Sequence, residues 1–233
     1  ILYYNHSVTL QNWVVSELFL CNADNSSITN VTINGSAALK NNGLVAIRVD
    51  GSNLTGINTS NNYFGINFWL SNNNILTSNT VNNNINGIWF EYSNFNTFTN
   101  NIANNNKFGI RLTGNSNNLT NNTANNNEYG IYFFDSFNNN LITNTANNNT
   151  YGIYFESSSN NNLTSNTAQN NTQDFFSEFD SINNTVINLT SWQNNLSFTS
   201  KDIALKGLRP IDINFADPIG LRNISKWINA TNN

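Results

Sequence analysis

Apolar and polar positions alternate in short runs along most of the chain, and the runs themselves recur. Aligning on the glycine of Gly-Ile-x-Phe/Leu gives Gly43, Gly65, Gly87, Gly109, Gly130 and Gly152, with Asp174 at the same place in the next unit. The intervals are 22, 22, 22, 21, 22 and 22 residues. The single deletion falls at the turn-like stretch Thr113 to Asn115, where losing one residue leaves the strands in phase. In a unit such as GIYFESSSNNNLTSNTAQNNTQ, no apolar set keeps the i, i+3, i+4 spacing of a helix. Three short strands bounded by Asn make one turn of a solenoid, each strand lying about 4.8 Å from its equivalent in the next coil. The pattern predicts an all-β fold, a right-handed parallel β-helix (β-solenoid) with coils of about 22 residues and three short strands per coil.

Equivalent residues must then form columns. Ile66, Ile88, Ile110, Ile131 and Ile153 point inward, as do Phe68, Phe90, Leu112, Phe133 and Phe155. Leu76, Phe98, Leu119, Leu141 and Leu163 form a third column, and Val81, Ala103, Ala124, Ala146 and Ala168 mark a narrow corner. Three Asn columns punctuate each coil: Asn74, Asn96, Asn117, Asn139, Asn161 and Asn183; Asn79, Asn101, Asn122, Asn144, Asn166 and Asn188; and Asn84, Asn106, Asn127, Asn149 and Asn171. Asn tolerates the left-handed backbone of a tight corner, and its amide can bond the Asn above and below, so these columns are expected to be a structural ladder. The repeats are placed at 17–190. Residues 1–16 read as a lead-in, cap or end of a preceding coil, and 191–233 as capping strands and the start of a following module. An earlier irregular coil aligns Ile28-Thr29 with Leu163-Thr164, with an insertion near Ser36 to Lys40.

Composition sharpens this picture. Roughly a quarter of the residues are Asn, yet 38% are hydrophobic and 12% aromatic, which supplies the apolar area a disordered chain lacks. Only 9% are charged, so amides and hydroxyls must carry solubility. The net charge of −4 and scattered Lys and Arg offer no basic stripe, which excludes nucleic acid as a partner. No apolar run reaches the roughly 20 residues of a membrane span. The first residues lack a signal-peptide pattern, and there is no Met, so the chain reads as a piece of a longer polypeptide. Sixteen Asn-x-Ser/Thr triplets, among them Asn5, Asn30, Asn53, Asn118, Asn148 and Asn195, point to an extracellular chain, although an Asn- and Thr-rich sequence produces them freely. Cys21 is the only cysteine, so the fold is held by packing; its ordinary reading is a small apolar residue.

The recurring phrase NNNLTxNTANNNxYGIYF resembles the NosD-like parallel β-helix repeats of the CASH group of carbohydrate-binding proteins and sugar hydrolases, found in archaeal surface-layer and cell-surface proteins. The resemblance covers roughly Glu17 to Thr190. It implies a secreted or wall-anchored protein. The NosD name also carries a copper association, but one His (His6), one Cys and no Met do not make a soft-metal donor set, so no metal and no cofactor are expected.

Thirteen acidic residues are scattered, which leaves little for a glycosidase or lyase. One exception is Glu156 and Glu178, at the same repeat position on adjacent coils with Asp135 one position off register; their ordinary reading is two solvated acids, and their functional reading a cation site or a catalytic dyad. The outward residue between the two inward columns reads Asn67, Trp89, Arg111, Tyr132, Tyr154 and Phe176. Its ordinary reading is cross-strand packing. Its functional reading is a contact strip formed by Trp89, Arg111, Tyr132 and Tyr154, with Arg111 stacked between rings. The column before each glycine, Phe64, Phe108, Tyr129 and Tyr151, reads as corner packing. The expected function is a non-enzymatic structural or adhesive surface module whose partners are envelope polysaccharide, neighbouring surface proteins or further copies of itself; the alternative is a carbohydrate-active protein that binds or cleaves polysaccharide.

Overall fold

The computed structural model describes residues 1–36, 38–178 and 180–191, together with the strands Leu196–Phe198 and Ile203–Lys206. Among these residues every element is a strand, every pairing is parallel, and the chain winds as a β-solenoid. The broadest sheet stacks Leu2–Tyr4, Leu18–Cys21, Asn42–Ile47, Phe64–Trp69, Asn86–Glu91, Phe108–Thr113, Tyr129–Phe134, Tyr151–Glu156, Gln173–Ser177 and Leu196–Phe198 in sequence order. A second sheet stacks the three- and four-residue strands from Thr9–Gln11 to Ile203–Lys206. The third side is thinner. Strands such as Thr32–Asn34 and Thr80–Asn82 give way to single bridges at Ile102, Thr123 and Thr145 before Thr167–Ala168 resumes.

The inward columns fall in register, Ile66 against Ile88 and Ile88 against Ile110, and all their side chains are buried. Phe68 stacks on Phe90 with ring centroids 4.5 Å apart, and Phe98 from the second sheet meets Phe90 edge-on at 4.7 Å. Each such side chain contributes about 1.5 to 3 kcal/mol through the apolar surface it removes from water. The glycine second in each broad strand from Asn42–Ile47 to Tyr151–Glu156 is required by close approach: a Cβ on Gly109 would sit 2.6 Å from the Gly130 carbonyl oxygen of the next coil.

Residues 1–16 are themselves a coil. Leu2 pairs with Leu18, Leu10 with Ile28 and Val14 with Thr32, so the architecture does not change at residue 16. The insertion before Asn42 is a turn in which the N–H groups of Leu39 and Lys40 donate to the Ser36 carbonyl. The cap and following module assigned to 191–233 lie largely outside the described residues; Leu196–Phe198 and Ile203–Lys206 continue the two sheets.

The corners divide between adjacent residues two tasks that the sequence assigns to one. At Asn121-Asn122, Thr143-Asn144 and Asn148-Asn149 the first residue takes the left-handed backbone, with φ of 56°, 54° and 57°. The second is buried and forms the ladder. Asn144 shows the pattern: its Nδ2 donates to the Leu119 carbonyl at 2.9 Å and to Asn166 Oδ1 at 3.0 Å, while its Oδ1 accepts from the Asn122 backbone N–H at 2.9 Å. Asn79, Asn101, Asn122 and Asn166 make the same bond to a carbonyl of the preceding coil. Asn188 does not. The coil around Asp180 carries an extra residue, Asn161 bonding Asn184 at a separation of 23, so Asn184 rather than Asn183 continues the first column. Asn188 becomes an exposed left-handed corner residue with φ of 50°, and the buried Leu189 follows it. The third column ends on a carboxylate. Asp174, wholly buried, accepts from Asn171 through Oδ1 and from the Ser191 hydroxyl through Oδ2 at 2.6 Å.

Candidate functional site: an aromatic ledge on the broad sheet

Alternation along the broad strands puts two columns on the outer face. Asn67, Trp89, Arg111, Tyr132, Tyr154 and Phe176 pair in register, and two residues further on Trp69, Glu91, Thr113, Phe134, Glu156 and Glu178 follow them along the rim. The pre-glycine column, Phe64, Phe108, Tyr129 and Tyr151, flanks the other side. Where Asn86 interrupts it, Trp89 meets both Phe64 and Phe108 edge-on, each at 5.6 Å. Beyond that point Tyr129 stacks on Phe108 at 4.9 Å and on Tyr151 at 5.0 Å, and Tyr154 stacks on Phe176 at 5.0 Å. The strip is largely packed: Tyr132 keeps only 8% of its surface, and Trp89, Arg111 and Tyr154 are half-buried.

Arg111 lies with its guanidinium carbon 3.9 Å from the Trp89 ring centroid and 5.5 Å from those of Tyr132 and Phe134. Burial lowers its pKa from the ordinary arginine value, against the attraction of Tyr132, Glu91 and Glu156. It still carries its charge, since an arginine starts well above any physiological pH. Its Nε is buried without a hydrogen-bond partner among the described residues, so the ring faces are its main compensation.

The two carboxylates singled out in the sequence are each bound to a tyrosine. The Tyr132 hydroxyl donates to Glu156 and the Tyr154 hydroxyl donates to Glu178. Both contacts are sheet diagonals: Tyr132 pairs with Tyr154, and Glu156 lies two residues beyond Tyr154 on the same face. Burial first, and the bond and charge of the facing glutamate second, push both phenols well above the ordinary tyrosine value. The signal was present as a Tyr followed 24 residues later by Glu, one coil plus two, whereas same-row comparison sees only Glu156 beside Glu178. The rim holds two further residues that row-by-row reading passes over, the exposed Trp69 and Tyr92.

This architecture defines the class as a parallel β-helix protein, and comparison with known proteins agrees. The model of the family described as periplasmic copper-binding protein (NosD) matches residues 22–203, and the chain belongs to that family. No curated protein matches it. Among solved structures it is similar to the periplasmic alginate epimerase AlgG, at 18% identity and a TM-score of 0.66 over 86% of this chain and 51% of that one. It is also similar to the A-module of the mannuronan C-5 epimerase AlgE6 of Azotobacter vinelandii, at 11% identity and a TM-score of 0.63 over 90% of this chain and 81% of that one. The chain spans about half the length of AlgG. At these identities the likeness is one of fold.

The residues present do not fit the copper in the family's description. His6 is exposed and its Nδ1 lies 3.2 Å from Asn5 Oδ1, Cys21 ends the strand Leu18–Cys21, and among the described residues no three His, Cys, Asp or Glu side chains converge. A copper centre draws on several such donors together, and Met, the other soft donor, is missing from the sequence. Among the described residues no helix is long and apolar enough to cross a membrane.

Proposed function

We propose that this chain is a non-catalytic carbohydrate-contact module of the cell envelope, holding a glycan along the ledge of Trp89, Arg111, Tyr132 and Tyr154. The observation that carries the reading is the continuity of the ledge: rings and one guanidinium occupy equivalent positions on consecutive coils, fixed by their own contacts before any ligand arrives. A surface ordered in advance loses little entropy on binding, and ring faces bordered by polar groups suit the apolar faces and hydroxyls of sugars. The structurally similar epimerases act, by their names, on alginate and mannuronan, which supports a polysaccharide as the ligand of such a scaffold. The periplasmic descriptions of the family and of AlgG support a location outside the cytoplasm.

A binding role is favoured over catalysis by the state of the titratable groups. A phenol held above its ordinary pKa stays protonated and is a poor base, and Glu156 and Glu178 each already accept a hydrogen bond from a phenol. The test is the double substitution Trp89→Ala with Tyr132→Ala, measured against envelope polysaccharide by sedimentation and for self-association by light scattering. Circular dichroism is expected to stay close to wild type while binding is lost. Unchanged binding would place the contact face elsewhere, and self-association lost in its place would assign the ledge to a second copy. Conversion of mannuronan at C-5 or chain scission, followed by NMR, would establish the enzymatic alternative instead.

A further inference from the structure

We infer that the ligand of this ledge is a neutral, hydroxyl-rich glycan and that a polyuronate of the kind named for the structurally similar epimerases is rejected; this rests on the carbohydrate reading above. The argument begins with which rings are accessible. Tyr132 is nearly covered, whereas Trp69 keeps 42% of its surface and Tyr92 56%. Trp69 stands on the outer face beside the central column, paired with Glu91, and Tyr92 directly follows Glu91. Trp69 and Tyr92 are therefore the stacking platforms, with the half-buried Trp89 behind them and Tyr154 three coils further along the ledge.

The charges along the same rim set the chemistry. Glu91 stands in the outer column and, three coils further on, Glu156 and then Glu178, with Asp135 and Asp180 at the turn beyond. Against them stand Arg111, already held against rings, the exposed Arg48, whose backbone N–H bonds the Trp69 carbonyl at the N-terminal end, and on the opposite flank Lys107, which lies over the Phe108 ring and pairs with Glu128. A uronate chain carries a carboxylate on every sugar and would run within a Debye length, about 8 to 10 Å, of this acidic row. Like charges brought that close oppose binding. Neutral sugars offer hydroxyls instead, and a hydroxyl donating to a carboxylate makes a charge-assisted hydrogen bond. The geometry leaves an acceptor for it: the phenols take Oε2 of Glu156 and Oε1 of Glu178, and each half-buried carboxylate keeps its second oxygen for a ligand hydroxyl.

The experiment uses matched pairs of oligosaccharides that differ only at C-6: hexaoses of mannose, glucose and galactose, each with its uronate counterpart, titrated in calcium-free buffer and followed by tryptophan fluorescence. At least one neutral hexaose is expected to bind about tenfold or more tighter than its uronate partner, a ratio equivalent to about 1.4 kcal/mol. The double variant Glu156→Gln with Glu178→Gln is expected to weaken the neutral ligand and strengthen the uronate, and Trp69→Ala with Tyr92→Ala to weaken both. Equal or tighter binding of a uronate by the wild-type chain would overturn the inference while leaving carbohydrate contact standing. Binding of neither class would remove the carbohydrate reading and this inference with it.

Discussion

At the asparagine corners of the solenoid one residue, often itself an asparagine, turns the backbone, and the buried asparagine after it closes the hydrogen bonds. The five-residue spacing of the Asn columns was legible in the sequence, but the division of labour was not, because runs such as Asn147-Asn148-Asn149 present the same side chain at both positions. Only the buried member carries the ladder, which gives the two positions opposite sensitivities. Asn144→Ala strips the Asn122 N–H and the Leu119 carbonyl of buried partners and is expected to cost about 1 to 3 kcal/mol. Asn148→Gly keeps the left-handed corner available, so it is expected to stay within about 0.5 kcal/mol of wild type. Urea midpoints of the two variants check this, and equal midpoints would mean that the ladder does not hold the coils. Asn188 shows where spacing fails: one extra residue in the coil around Asp180 moves it to the outside, and Asn runs give no mark of which residue was added.

On the broad sheet, register along a row is read directly from the repeat, whereas the diagonal contacts show only as a Tyr-to-Glu spacing of one coil plus two, which row alignment passes over. Row alignment finds Trp89 beside Arg111 and Glu156 beside Glu178; the contacts that set the chemistry of the ledge run from Tyr132 to Glu156 and from Tyr154 to Glu178. Such diagonals lie about 7 to 8 Å apart, within reach of a tyrosine and a glutamate but not of shorter pairs. They have a consequence for pH. A phenol whose folded-state pKa lies above its unfolded value of about 10 stabilises the fold fully below that pH and loses the contribution as pH rises beyond it, since the unfolded chain releases its proton first. Stability is therefore expected to fall above pH ~10. In the double variant Tyr132→Phe with Tyr154→Phe the alkaline fall should be shallower. An identical alkaline slope in both proteins, measured by urea denaturation, would show that these phenols do not titrate differently on unfolding.

For the whole molecule, the scarcity of charge and the abundance of asparagine have one cause. A solenoid whose coils are joined by amide ladders and stacked apolar columns needs few ion pairs, and the one identified among the described residues, Lys107 with Glu128 at 3.9 Å, is exposed and contributes little. The result is a rigid face on which one set of groups repeats at coil spacing, suited to a ligand that repeats as well. The central claim is that several coils of the ledge engage one glycan chain together, and the most direct measurement is the dependence of affinity on chain length, from disaccharide to octasaccharide, by isothermal titration calorimetry. The contact columns from Trp69 to Tyr154 span five coils, or four steps of about 4.8 Å. The account predicts that affinity rises with each added sugar until this span is filled and then levels off. A disaccharide that binds as tightly as an octasaccharide would contradict it, because recognition would then belong to a single local site.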